Sequence, residues 1–247
     1  MTTKQIGILG YGRFGRVLCD LLKDDFQVLV YDRQEDLVPE SLRSTVEAVA
    51  SRDILLICVP ILTLDSAAAS IAPHVPAHTT VMDVCSVKLY ARQVLERYFP
   101  KNPVLPAHPM FGPDSVSKAN GARGLPFILC PTDQTPAHCV DFWKTYLKGK
   151  GLKVFCMTCD QHDRHTAYSL GLTFLTSRIL EPILDIRDDD SENGKRLRSV
   201  VDVCCHDTAE LFEGLLSRNP YATQMRRRFR EQLDAIETQL DTMTGRL

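Results

Sequence analysis

No stretch of this 247-residue chain approaches the roughly 18 to 20 consecutive apolar residues that a membrane-spanning helix needs. A bilayer-spanning protein is therefore not expected. The start, Met1-Thr2-Thr3-Lys4-Gln5, leads straight into a strand pattern without the apolar stretch of a signal peptide, so a cytoplasmic protein is expected. An excess of charge is missing as well. Twenty-nine basic against 31 acidic residues leave a formal charge of -2, which gives no general attraction for nucleic acid or an anionic membrane. Small-molecule contacts are the better expectation. A paired cysteine framework is also absent. The nine cysteines are odd in number, scattered, and often set in apolar strand patterns such as Leu56-Ile57-Cys58-Val59, as reduced core thiols are. No internal repeat is visible, which removes repeat-built architectures.

What remains is an ordinary globular composition, 44% hydrophobic and 24% charged, with length for one large or two modest domains. The first half alternates strand and helix signals. Gln5 to Leu9 forms an apolar strand, Gly10-Tyr11-Gly12-Arg13-Phe14-Gly15 follows it, and a helical run from Arg16 to Lys23 comes next. A second strand, Gln27 to Tyr31, ends at Asp32, about twenty residues past the first glycine, as a dinucleotide fingerprint requires. Gly10 allows the tight turn, Gly12 lets a pyrophosphate approach the backbone, and Gly15 lets helix and strand pack closely. Further strands are expected at 53–59, 80–84, 104–107, 127–130 and 153–156, with helices at 89–98 and 137–147 between them. Such alternation implies a largely parallel α/β sheet.

Strand signals stop near residue 157. Leu172, Leu175, Ile179 and Ile183 step by helical intervals, predicting one helix from about His162 to Asp185. A polar, turn-prone segment, 187–194, leads to two more expected helices, 196–216 and 221–243, separated by Asn219-Pro220. The predicted architecture is a Rossmann-type dinucleotide-binding domain over 1–157, followed by an all-helical domain over 158–247. Three helices in about ninety residues bury little core alone, so a homodimer is expected. The basic run Arg226-Arg227-Arg228 shares its helix with Glu231, Asp234 and Glu237, which reads as a solvated face.

In open α/β sheets ligands lie beyond the carboxyl ends of the strands. The residues there are the glycine turn, Asp32 with Arg33, the strand end Cys58-Val59-Pro60, Ser86 with Lys88, and His108. His108-Pro109-Met110-Phe111-Gly112-Pro113-Asp114-Ser115 is stiffened by its prolines, which keep His108 and Gly112 out of helices and predict a rigid loop. An imidazole with a pKa near 6.5 can take up a proton and return it. Ser86 is also placed to cap a helix beginning near Lys88. Asp32 favours NAD by accepting from a ribose hydroxyl and repelling a 2'-phosphate, while Arg33 beside it leaves NADP open. Cys156, Cys159, His162 and His165 are all metal-ligand types recurring every third residue. On a helix, the row from Cys159 to His165 rises about 9 Å, too stretched to wrap one tetrahedral ion, so no metal is expected.

The ordered set of motifs resembles the prephenate and arogenate dehydrogenase family of tyrosine biosynthesis. It comprises Gly10 to Gly15, Cys58-Val59-Pro60, Asp83-Val84-Cys85-Ser86-Val87-Lys88, His108 to Ser115, Gln161-His162-Asp163-Arg164, Asp207 to Phe212 and Asn219 to Ala222. The likeness runs almost end to end. It implies NAD- or NADP-dependent oxidative decarboxylation of prephenate or arogenate, with His108 as general base of pKa near 7 for the ring hydroxyl. Ser86 would hydrogen-bond that hydroxyl or the nicotinamide region. The cofactor would rest on Gly10, Tyr11, Gly12, Arg13, Phe14, Gly15, Asp32, Arg33, Cys58, Val59 and Pro60.

Two departures bear on the substrate. Phe174 stands where many relatives have a substrate-facing histidine, and Leu170 where some have glutamine; Asp202 stands near a position where some carry arginine. Losing polar groups relaxes or redirects specificity without removing hydride chemistry. A related dehydrogenase acting on a modified prephenate, or a non-catalytic nucleotide-binding homologue, therefore stays open. Lys118, Arg123, Arg164 and Arg178 are the candidate partners for substrate carboxylates.

Overall fold

Apolar strands β1 (Gln5–Leu9) and β3 (Ile54–Ile57) are buried along almost their whole length, the pattern of parallel strands covered on both faces. The computed structural model describes residues 4–118, 121–187 and 189–244, which fall into two compact units, one ending at His162 and the other beginning at Asp163. In the first unit β2 (Gln27–Tyr31) and β4 (Thr80–Asp83) join β1 and β3 in a four-stranded sheet of order β2-β1-β3-β4. All three pairings are parallel. The chain leaves β1 toward β2 on one side and returns to β3 on the other, so the strand order reverses between β1 and β3. A ligand crevice is expected at that switch point.

Helices α1 (Arg13–Leu22), α2 (Val46–Ala50), α3 (Leu64–Ile71) and α4 (Lys88–Tyr98) lie between these strands or follow them. Ile6, Ile8, Leu18, Leu22, Val30 and Leu56 belong to one buried cluster joining α1 to the sheet, and Trp143 and Leu147, from a later helix, extend it. Each fully buried side chain of this size stabilises the fold by about 1.5–3 kcal/mol. The cluster makes the sheet a rigid platform for its strand ends.

A second sheet, order β5-β6-β7, contains β5 (Ala107–Pro109), β6 (Pro126–Leu129) and β7 (Lys153–Cys156). Helices α5 (Pro113–Lys118) and α6 (Ala137–Gly149) fall between its strands. Two expectations change here. His108 lies inside β5, opposite Ile128, and not in a loop after a strand over 104–107. The pairing of β5 with β6 is also antiparallel, although β6 and β7 run parallel. Pro109 is compatible with this because β5 is an edge strand, where a missing N–H costs no ladder bond. Val104 forms only an isolated bridge to Val81.

Helix α7 (Cys159–Thr166) carries the boundary between the units. Beyond it come a π-helical turn, Ala167–Gly171, and helices α8 (Leu172–Leu180), α9 (Glu192–His206), α10 (Ala209–Arg218) and α11 (Ala222–Thr244). The expected helix 162–185 is thus interrupted by the π turn and ends at Leu180, leaving Ile183 outside it and 70% exposed. The expected helix 196–216 is two helices. Thr208 caps the second, its Oγ1 accepting from the Leu211 N–H at 3.2 Å, which favours a fresh start over continuation. Asn219 closes α10 by donating to the Asp163 carbonyl at 2.8 Å and accepting from the Tyr221 N–H at 2.9 Å. No helix among the described residues is long and apolar enough to cross a membrane.

Candidate functional site

Gly10 leaves β1 with φ +102°, a left-handed conformation that glycine adopts at little cost. A Cβ there would come within 2.5 Å of the Cys58 carbonyl oxygen, and one at Gly15 within 2.3 Å of the Gly10 carbonyl oxygen. Both glycines are needed for close packing. Gly12 is different, since a Cβ on it would meet nothing within 4 Å. It is the N-cap of α1, no side chain caps that end, and the first turn carries no acidic residue. Open backbone donors at a helix N-terminus beside a bare glycine suit a pyrophosphate.

Asp32 fastens this turn to β2. Its Oδ2 accepts from the Tyr11 N–H at 2.6 Å and its Oδ1 from the Gln34 N–H at 2.8 Å. Each oxygen keeps a lone pair for a ribose hydroxyl. Arg33 is exposed, whereas Arg13 meets Asp114 at 2.9 Å and Phe14 packs on Phe111 with ring centroids 5.9 Å apart. Cys58 and Val59 are half-buried at the end of β3, with the Cys58 N–H donating to the Leu9 carbonyl at 2.7 Å, while Pro60 is exposed. Burial pushes the Cys58 and Cys85 thiols well up, so both stay protonated near neutral pH.

The end of β4 holds a buried ion pair. Lys88 Nζ donates to Asp83 Oδ2 at 2.5 Å and to the Ala107 carbonyl at 2.6 Å, with both side chains fully buried. Burial works against the lysine charge, but the Asp83 carboxylate outweighs it and holds the ammonium above its ordinary pKa. Lys88 therefore ties the Ser86 segment to the residue before His108. Ser86 is 6% exposed and its Oγ has no hydrogen-bond partner among the described residues. Val87, not Ser86, is the N-cap of α4, and no side chain caps it. An orphaned buried hydroxyl costs free energy unless something accepts or donates there.

His108 is also 6% exposed. Its Nδ1 lies 2.9 Å from Nε2 of His162, which is fully buried. Burial, then His162, then the Lys88 ammonium push its pKa well below the usual 6.5. The expected value near 7 is thus corrected: His108 is a neutral imidazole at physiological pH. His162 is the residue whose place in the site was missed. It stood in the quoted Gln161-His162-Asp163-Arg164 string and in the metal-type row. That row splits in the structure, with Cys159 and His162 buried and Cys156 and His165 exposed.

The other candidates scatter. Arg123 lies along Gly151 at the turn between α6 and β7, and the side chain of Lys118 falls outside the described residues. In the second unit Arg164 stacks on the Tyr221 ring at 5.0 Å, and Arg178 donates to the Asp207 carbonyl at 3.2 Å. Phe174 is buried, Leu170 sits part-buried in the π turn, and Asp202 faces Arg198 at 3.7 Å. A cavity of about 200 Å³ beside α1, lined by Phe14, Val17, Leu21, Phe111, Val116 and Phe127 among others, includes neither Ser86 nor His108.

A glycine turn at the switch point of a parallel sheet, followed by a helix with an open N-terminus, defines a Rossmann-type nucleotide-binding protein. The family model for the prephenate dehydrogenase nucleotide-binding domain matches residues 24–156, more than half of the chain. The chain belongs to the prephenate dehydrogenase family. A second model, the TYRAAT1-like C-terminal domain, matches residues 190–246. Arogenate dehydrogenase 1, chloroplastic, of Arabidopsis thaliana is 28% identical over 96% of this chain, and the cyclohexadienyl dehydrogenase of Zymomonas mobilis is 27% identical over 68%. The chain spans 39% of the length of the plant protein and 63% of the bacterial one. Among solved structures, the prephenate dehydrogenase from A. aeolicus in complex with hydroxyphenyl propionate and NAD+ superposes with a TM-score of 0.78 at 17% identity. That match covers 99% of this chain and 93% of the other.

Proposed function

We propose that the chain catalyses the NAD(P)-dependent oxidative decarboxylation of prephenate or arogenate, the step that makes the phenol ring in tyrosine biosynthesis. The observation that carries this reading is the buried His108 linked through Lys88 to the segment bearing the orphaned Ser86 hydroxyl. The dinucleotide would rest on Gly10 to Gly15, Asp32, Arg33 and the β3 end Cys58-Val59-Pro60. Its oxidised nicotinamide, when bound, supplies the acceptor for the hydride on the ring carbinol carbon.

The chain's own part is proton handling and orientation. Ser86 Oγ hydrogen-bonds the ring hydroxyl and aligns the carbinol C–H. His108 takes the hydroxyl proton as the hydride departs. The bond to the ring carboxylate then breaks, carbon dioxide leaves, and its electron pair completes the aromatic ring. The resulting phenolate recovers the proton from His108. No net proton is consumed, and aromatisation makes the step effectively irreversible.

Asp32 favours NAD over NADP, with exposed Arg33 as the group that would accept a 2'-phosphate. Turnover is tested with prephenate and arogenate, each with NAD+ and NADP+. Reduced nicotinamide is expected in at least one pairing, faster with NAD+, and its absence from all four contradicts the proposal.

The second unit also supports a homodimer. Ile179, Leu197, Leu233, Ile236, Leu240 and Met243 are each at least 40% exposed, and the last four step by 3, 4 and 3 along α11, an apolar stripe that a second copy would cover. Sedimentation at micromolar concentration is expected to give twice the mass of one chain. A species of single-chain mass would rule the dimer out.

A further inference from the structure

The contact between His108 Nδ1 and His162 Nε2, at 2.9 Å with both rings buried, can hold one hydrogen only. Two lone pairs would repel at that distance and two N–H groups would collide. A neutral imidazole carries a single ring proton. If His162 Nε2 donates, then His108 must carry its own proton on Nε2 and has no lone pair left to offer a substrate. If His108 Nδ1 donates, its Nε2 is free to accept.

We infer that His162 is a positioning residue that holds His108 in the Nδ1–H tautomer and so makes it a base. The inference rests on the proposed role of His108, and it fixes which nitrogen does the work. The partner of one ring nitrogen sets the state of the other. A free histidine side chain in water prefers the proton on Nε2, the tautomer that cannot act here, so the preference has to be reversed by the site. Once His108 has taken the hydroxyl proton, the same bond keeps an acceptor against the imidazolium. That matters in a buried place that also holds the Lys88 ammonium, itself paired with Asp83.

The sequence builds this acceptor deliberately at one point on α7. Thr158 Oγ1 accepts from the Gln161 N–H at 3.1 Å, while Gln161 Oε1 accepts from the Thr158 N–H at 3.0 Å. The two bonds form a reciprocal capping box that fixes where the helix begins. The first full helical bond, from the His162 N–H to the Thr158 carbonyl at 3.0 Å, follows directly. Gln161 thus has a physical role beside His162: it sets the helix start, and the helix start sets the direction of the imidazole.

The test is nitrogen NMR of the full chain with labelled histidine, where His108 is assigned among the seven histidines by its loss in His108→Asn. Its Nδ1 is expected to be protonated and its Nε2 bare near neutral pH. In His162→Leu the His108 proton should move to Nε2, and kcat should fall by roughly 10- to 100-fold with KM changed far less, as for other groups that orient a working histidine. His162→Gln, whose Oε1 can accept the same bond, should recover most of that loss. A wild-type His108 protonated on Nε2 overturns the inference, as does wild-type kcat in His162→Leu. If the leucine variant does not fold, the wild-type spectrum and the glutamine variant decide. If the wild-type chain turns over none of the proposed substrates, the tautomer measurement still tests His162, and only the assigned reaction fails.

Discussion

His108→Asn is expected to lower kcat by about 10²- to 10⁴-fold, the usual contribution of a positioned general base, with nucleotide affinity near that of the wild type. The proposed cofactor site is the β1 to α1 turn, a different element from β5, so binding and proton transfer are expected to separate cleanly. The pH profile carries the sign of the effect. Burial, His162 and Lys88 hold the His108 pKa below 6.5, so the free base persists as pH falls through that value. The acid limb of kcat/KM, which reports the free enzyme, should therefore lie below pH 6.5. A limb at pH about 7 or above would assign the profile to another group or an unburied histidine. The same shift acts on stability. The unfolded chain takes up this proton first, so stability is lost as pH drops below about 6.5 toward the lowered folded value, and His108→Asn should flatten that loss.

Lys88→Met is expected to destabilise the fold by about 3–5 kcal/mol, because it leaves the Asp83 carboxylate buried without its cation. Both side chains are fully buried, so solvent does not soften the cost. Against a total stability of about 5–15 kcal/mol this is a large share, visible as a shift of the denaturation midpoint. Replacing the partner as well, in Asp83→Leu with Lys88→Met, should recover much of the stability. It should not restore full activity, since the Ala107 carbonyl still lacks the donor that holds the start of β5. A single Lys88→Met variant within about 1 kcal/mol of wild type would show that the pair is not the clasp the geometry describes.

The nucleotide-binding sheet was legible because its signals are local and agree with one another. Gly10 and Gly12 stand between an apolar strand and a helix, Gly15 lies in that helix's first turn, and an acidic residue follows β2. His108 was legible as a chemical group but not as part of a strand. Pro109 and Pro113 suggested a loop, and only the pairing with Ile128 on β6, about twenty residues along the chain, makes it an edge strand. His162 was visible and unassigned for the same reason, since its partner lies 54 residues away. Spacing within α7 shows which residues share a face; it does not show what that face meets. The break between α9 and α10 was missed because apolar periodicity continues across it while the Thr208 cap interrupts the backbone. The lowered pKa of His108 follows from burial and from two neighbours contributed by other elements, which composition cannot reveal.

The most direct measurement mixes the chain with NAD+ and either prephenate or arogenate and follows reduced nicotinamide and carbon dioxide together. The two should appear in equal amounts with the favoured substrate, and both should be lost in parallel in His108→Asn. Reduced nicotinamide without carbon dioxide would point to a different alcohol oxidation, and neither product from either substrate would contradict the assigned reaction.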